Sequence, residues 1–213
     1  MDYQNLKIDH FEHSGFRIKN GVNVIYLDPY NLKDEQIETA DYILITHEHF
    51  DHCSEKDIKK IAGPETIIIA SESCNLEQKF LGYLKVKSLI FMGPGENSEF
   101  DDLKITAVPA YNLNKTFHPP KGGRVGYVVE INRTRIYYAG DTDNIPEMSK
   151  LTNIDVALLP VSGTYVMDWN EAVAATAVIK PKLVIPMHYG SVIGSLEDAQ
   201  KFKENASCPV AII

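Results

Sequence analysis

Cysteine is scarce in this chain: Cys53, Cys74 and Cys208 are the only three in 213 residues, too few and too scattered for a disulfide framework. A reducing cytoplasm fits that usage. No window approaches the roughly 18 consecutive apolar residues that a membrane helix requires. The opening Met1-Asp2-Tyr3-Gln4-Asn5-Leu6 is polar and acidic where a signal peptide needs positive charge ahead of an apolar stretch. The expectation is a soluble cytoplasmic protein with no membrane partner. Positive charge is also in deficit, with 21 Lys and Arg against 29 Asp and Glu and a net charge of −8. No block of lysine and arginine stands out, and an acidic surface repels a phosphate backbone, so long nucleic acid is a poor partner.

What the chain does contain is ordinary globular material, 44% hydrophobic and 23% charged, enough to bury one substantial core. A single domain over residues 1–213 is expected. Against that background the histidines are unevenly spread. Only 7 occur, yet His47, His49 and His52 fall within six positions, together with Asp51, directly after the apolar stretch Tyr42-Ile43-Leu44-Ile45. Neutral imidazoles and carboxylates are the ligands of a borderline-soft cation such as zinc, and they must converge from a tight turn or one face of an element. If the chain stays extended, His47 and His49 point the same way. Asp51 and His52 then need a turn to reach a second point nearby, so the spacing predicts two adjacent metal positions. A solvated loop with histidines by chance is the bland alternative, and the clustering disfavours it.

The rest of the chain reads as strands and helices. Phe16 to Lys19 and Val22 to Leu27 flank an Asn20-Gly21 hairpin signal, and Asp28-Pro29 ends the second run. Tyr42 to Thr46 resembles a strand buried on both faces. Ser54 caps a helix, and Thr66 to Ala70 follows as a strand. Leu103 to Val108, Gly126 to Ile131 and Thr134 to Ala139 are further strands, the last two joined through Asn132-Arg133. Asp168 to Glu171 is a capping-box opening to an alanine-rich helix that ends near Ile179 before Pro181. Leu183 to Met187 is a strand, Ser195 to Asn205 an amphipathic helix, and Val210 to Ile213 a closing strand. Antiparallel strands followed by strand–helix alternation suggest an α/β fold of two packed sheets with helices outside.

The segment His47-Glu48-His49-Phe50-Asp51-His52 resembles the H-x-H-x-D-H signature of the metallo-β-lactamase-fold hydrolases. Tyr137-Tyr138-Ala139-Gly140-Asp141-Thr142 looks like that family's G-D-T motif, and Val184-Ile185-Pro186-Met187-His188-Tyr189-Gly190 like its late histidine ligand. His13-Ser14-Gly15-Phe16, Gly93-Pro94-Gly95 and Glu171 are similar to the branch that includes ascorbate-6-phosphate lactonases and small metal-dependent hydrolases. The resemblance implies a four-layer αβ/βα sandwich, two mixed sheets flanked by helices.

It also implies two divalent cations, zinc by default with manganese or iron open. His47 and His49 would hold the first, Asp51, His52 and His188 the second, and Asp141 would bridge them. Asp51, His52 and Asp141 are the candidate catalytic residues. The third ligand of the first metal is the difficulty, because many members of the family it resembles carry a histidine where this chain has Asn112. Either Asn112 gives a weaker oxygen ligand or none, or His118 swings in from the loop; the reading favours His118.

His13 is expected near the site as a substrate contact or support. Lys121 and Arg124 would offer a cationic loop for a phosphate or carboxylate, and Tyr189, Tyr165 and Tyr111 are further pocket candidates. Cys53 reads as a small buried hydrophobe. The implied reaction is hydrolysis of a small-molecule ester, lactone or phosphoester, lactone first and phosphodiester second. A non-catalytic metal-binding protein is the other class, should Asn112 mark a degraded site. A homo-oligomer is left open.

Overall fold

The computed structural model describes residues 1–77, 79–101 and 103–213. Its contacts divide the chain into two compact units, Met1–Gly93 and Pro94–Ile213, each built on one mixed sheet.

In the first unit seven strands lie in sequence order: β1 (Asp2–Tyr3), β2 (Leu6–His10), β3 (Phe16–Lys19), β4 (Val24–Leu27), β5 (Tyr42–Ile45), β6 (Ile67–Ser71) and β7 (Ser88–Met92). β1 to β4 form an antiparallel meander, and β4 to β7 run parallel. Parallel neighbours need a crossover, and α1 (Glu55–Ile61) and α2 (Glu72–Glu77) lie in two of these connections. Tyr26, Ile43, Ile45, Ile68 and Ala70, alternate residues of β4, β5 and β6, share a core with Ile58 and Ile61 of α1 and Cys74 of α2. The intervening Ile25, Leu27, Leu44 and Ile69 are buried as well, which explains why these strands read as continuous apolar runs. Ser54 caps α1 by accepting from Asp57 N.

In the second unit six strands take the order β13-β12-β11-β10-β9-β8. They are β8 (Asn97–Phe100), β9 (Leu103–Pro109), β10 (Val125–Ile131), β11 (Thr134–Tyr138), β12 (Val156–Pro160) and β13 (Leu183–Met187). β8 to β11 are antiparallel, whereas β11, β12 and β13 run parallel. Asn132 and Arg133 turn the β10–β11 hairpin with φ of 50° and 64°, the positive values that a tight primed turn demands. α3 (Trp169–Ile179) opens on the expected capping box: Glu171 N donates to Asp168 Oδ1 at 2.7 Å, and Asp168 N to Glu171 Oε2 at 3.0 Å. It ends on Lys180 in the left-handed region, ahead of Pro181. α4 (Leu196–Asn205) is the last helix. Among the described residues no helix is long and apolar enough to cross a membrane.

The expected closing strand is a correction. Val210 makes one isolated bridge to Val184, held by Val184 N to Pro209 O and Ala211 N to Val184 O, both 2.9 Å. Pro209 has no N–H to carry the ladder further back.

One glycine fixes where β11 delivers the chain. A Cβ on Gly126 would stand 2.7 Å from the carbonyl oxygens of both Tyr138 and Ala139, backbone atoms that cannot swivel aside. Gly126→Ala is expected to cost about 1–3 kcal/mol, as overpacking does, read as a lower urea midpoint. A loss below about 0.5 kcal/mol, the scale of an ordinary surface substitution, would show that the strands separate freely.

Candidate functional site

In the first unit the chemistry gathers at the C-terminal ends of β4 and β5. The chain does not stay extended through His49, as the spacing suggested; it turns. His52 N and Cys53 N both donate to His49 O, at 3.0 and 2.7 Å. The imidazoles converge all the same, with His47 Nε2 3.0 Å from His49 Nδ1. Two donors each about 2.0–2.1 Å from a shared tetrahedral ion stand about 3.3–3.4 Å apart, so this pair fits a cation after a small outward adjustment.

Behind them sits a residue that sequence reading took only for a strand end. Asp28 is fully buried and left-handed at φ 40°. Its Oδ1 accepts from Thr46 N at 2.8 Å, and its Oδ2 accepts from Thr46 Oγ1 at 2.5 Å and lies 2.7 Å from His52 Nδ1. A carboxylate only accepts, so the neutral His52 ring carries its proton on Nδ1 and leaves the Nε2 lone pair for a ligand bond. Thr46 Oγ1, having given its proton to Asp28, accepts from His47 Nδ1 at 3.0 Å. One carboxylate therefore sets the tautomer of two rings, the arrangement that metal-binding histidines commonly share.

Asp51 is nearly buried. Its Oδ2 lies 3.1 Å from His13 Nε2 and 4.0 Å from His52 Nε2. His13 is buried at φ 60°; His10, unassigned from sequence, contacts its backbone oxygen at 3.1 Å. Tyr30 packs edge-on against His13 and against the exposed Phe50, with ring centroids 6.3 and 6.0 Å away. Burial raises its phenol pKa, as do the neighbouring Asp51, Glu12 and Asp57 carboxylates. The Cys53 thiol is raised too, by its hydrogen bond with Cys74 and then by burial, as befits a small buried hydrophobe.

In the second unit Asp141 follows β11 through Gly140, whose φ is 62°. Its Oδ2 is 3.2 Å from His188 Nε2 and 3.5 Å from His118 Nε2, and all three residues are buried. His188 comes directly after β13, at φ 59°, with Nδ1 2.8 Å from Ser162 Oγ. His118 stands with Asp141, and Asn112 stands behind it: His118 Nδ1 is 3.1 Å from Asn112 Oδ1 and 3.2 Å from Tyr165 O.

Asp28, His13 and His188 thus hold left-handed backbones, each costing about 1–3 kcal/mol.

The remaining candidates lie in the same unit. Lys121 is exposed in a turn closed by Gly122 N to Pro119 O at 3.0 Å, and Arg124 is half-buried just before β10. Tyr189 is half-buried, its phenol pKa raised by burial. Tyr111 donates its hydroxyl to Glu147 at 2.9 Å. The Tyr165 ring packs edge-on against Phe117, 4.5 Å between centroids.

The donor set as a whole is imidazole nitrogen with carboxylate oxygen, most rings oriented from behind by a protein oxygen. That chemistry fits a divalent borderline cation such as zinc, and does not exclude manganese or iron.

Comparison with known proteins places this arrangement. A family model described as the beta-lactamase superfamily domain matches residues 7–188. The chain belongs to the β-lactamase superfamily. Within it the chain falls among the UPF0173 metal-dependent hydrolases. It is 34% identical to the one from Nanoarchaeum equitans, across 94% of this chain and 92% of the relative. It is 31% identical to the one from Pyrococcus abyssi, across 93% and 91%. A crystal structure from Parabacteroides distasonis, described as a metal-dependent hydrolase, superposes with a TM-score of 0.82 at 33% identity, covering 97% of this chain and 92% of that one. The two mixed sheets with their helices are accordingly the metallo-β-lactamase fold expected from the sequence.

Proposed function

We propose that this protein is a metal-dependent hydrolase of small molecules, acting on a lactone or related ester in preference to a phosphodiester. The observation that carries the reading is Asp141, whose one carboxylate oxygen lies within 3.5 Å of Nε2 of both His118 and His188. The family bond to relatives named as metal-dependent hydrolases supports the same conclusion.

In this proposal His47, His49, Asp51 and His52 of the first unit and His118, Asp141 and His188 of the second would be the metal ligands. Divalent ions held by these residues would supply an acidified water and a Lewis acid. The chain's own part is orientation. Asp28 and Asn112 hold rings from behind, and His13 Nε2 lies 3.1 Å from Asp51 Oδ2, whose carboxylate would accept a hydrogen bond from water. Lys121 and Arg124 would receive an anionic group on the substrate. If that group is a phosphate, the phosphoester reading gains ground.

The test begins with metal analysis of the purified protein by mass spectrometry. Turnover of a lactone panel is then compared with that of bis-nitrophenyl phosphate, before and after chelation. Lactone hydrolysis that chelation removes and zinc or manganese restores is the expected result. Chelator-sensitive cleavage of the phosphodiester alone would shift the assignment to the phosphodiesterase reading, and a metal-free protein inert on both panels would overturn hydrolysis itself.

A further inference from the structure

Behind His118 runs a buried polar chain. Asn112 Nδ2 donates to Asp143 Oδ1 at 3.0 Å and to Tyr165 O at 2.9 Å. Both partners only accept, so the amide's orientation is settled by chemistry: its nitrogen faces them and its oxygen faces His118. That oxygen takes the His118 backbone N–H at 3.1 Å and lies 3.1 Å from His118 Nδ1. Nδ1 therefore meets two acceptors, Asn112 Oδ1 and Tyr165 O, and must carry the proton of the neutral ring. The Nε2 lone pair is left directed toward Asp141 Oδ2, 3.5 Å away. A lone pair facing a carboxylate is unfavourable without a cation to share.

Asp143 anchors this chain. It is 2% exposed, accepts from Leu113 N through Oδ2 at 2.8 Å and meets Lys115 Nζ at 2.6 Å from Oδ1. Lys115 supplies the countercharge that a buried carboxylate requires; its Nζ also lies 3.6 Å from Glu171 Oε2, in the capping box of α3.

We infer that Asp143, neutralised by Lys115, is a positioning residue that locks the Asn112 amide and through it keeps the His118 proton on Nδ1. Asn112 is then the outer partner of His118 and no sign of decay. The consequence for metal binding rests on the proposed ligand role of His118; the tautomer does not.

The experiment records imidazole nitrogen–proton correlations on the full chain, as purified and after chelation, well above the ordinary histidine pKa of about 6.5. Zinc affinity is measured in parallel by competition with a chromophoric chelator. The wild type is expected to show His118 protonated on Nδ1. N112A leaves His118 Nδ1 only Tyr165 O, and D143A leaves the Asn112 amide nitrogen only Tyr165 O, so each should populate the Nε2 tautomer beside the Nδ1 one and weaken zinc binding, N112A by about 10–100-fold as loss of an outer partner does. Should D143A fail to fold, N112A tests the same step, since Asp143 there keeps Leu113 N and Lys115. Nε2 protonation in the wild type, or an unchanged tautomer in N112A, overturns the inference. An N112A shift with D143A unchanged removes Asp143 from it. Full zinc content in H118A would instead refute the ligand reading while leaving the tautomer result standing.

Discussion

Asp141→Ala is expected to retain less than about 1% of the wild-type hydrolytic rate and to lose bound metal. Loss of an outer partner alone weakens a site about 10–100-fold, and Asp141 is argued to touch the cation itself. Its removal strips the charge from between the Nε2 atoms of His118 and His188, leaving two neutral rings that bind a dication poorly. Metal analysis after dialysis reads the loss directly. A stability measurement reads it independently of activity: zinc at about 100 times its dissociation constant should stabilise the wild type by about 2.7 kcal/mol and the variant by much less. Asp141→Asn separates charge from shape, since it keeps an oxygen and the volume. His49→Ala extends the test to the other unit. His49 is 38% exposed at its side chain, so its loss should leave the apo fold within about 0.5 kcal/mol while lowering metal content. Wild-type metal and rate in Asp141→Ala would end the hydrolase proposal; the same result in His49→Ala would remove the first unit's histidines from it.

What could be read from the chain in advance was whatever is local. Tyr42 to Ile45 and the ligand motif after it are legible because a buried strand and a clustered histidine pattern each occupy a few consecutive residues. The capping box at Asp168 and Glu171 and the turn at Asn132-Arg133 are legible for the same reason. The supporting residues are not, because they reach across sequence. Asp28 contacts Thr46 and His52, 18 and 24 positions on, and Asp143 meets Asn112 across 31. Each looks locally like an aspartate in a turn, an unremarkable use of that residue. A left-handed backbone at Asp28, His13 or His188 leaves no trace in the sequence either, since none of them is glycine. Among the strands, β8 was missed because Asn97–Phe100 alternates exposed with only partly buried residues, so its apolar period is faint. The segment from Val210 carried a strand's composition, but one bridge is all that formed beside a proline.

Asp28→Asn is expected to keep the fold and lose metal affinity about 10–100-fold, which makes it the sharpest test of the support behind the first unit's histidines. Asparagine tolerates the left-handed backbone better than most residues, so the φ of 40° adds little cost. What it cannot do is accept three times. Thr46 N, Thr46 Oγ1 and His52 Nδ1 all address Asp28, and an amide offers one oxygen and one nitrogen. If the oxygen stays with Thr46, the NH2 group faces His52 Nδ1 and is satisfied only when that nitrogen gives up its proton. The proton moves to Nε2, and the atom that should meet the cation becomes a donor. Metal binding then requires displacing that proton or breaking the new hydrogen bond. The stability cost should be about 1–3 kcal/mol, the penalty for one buried group left imperfectly paired. Asp28→Ala, which abandons all three donors and places alanine at positive φ, should cost more and lower the urea midpoint further. The two variants separate effects on folding from effects on the ring. Asp28→Asn that folds and binds zinc as tightly as the wild type would show that His52 needs no partner to choose its tautomer.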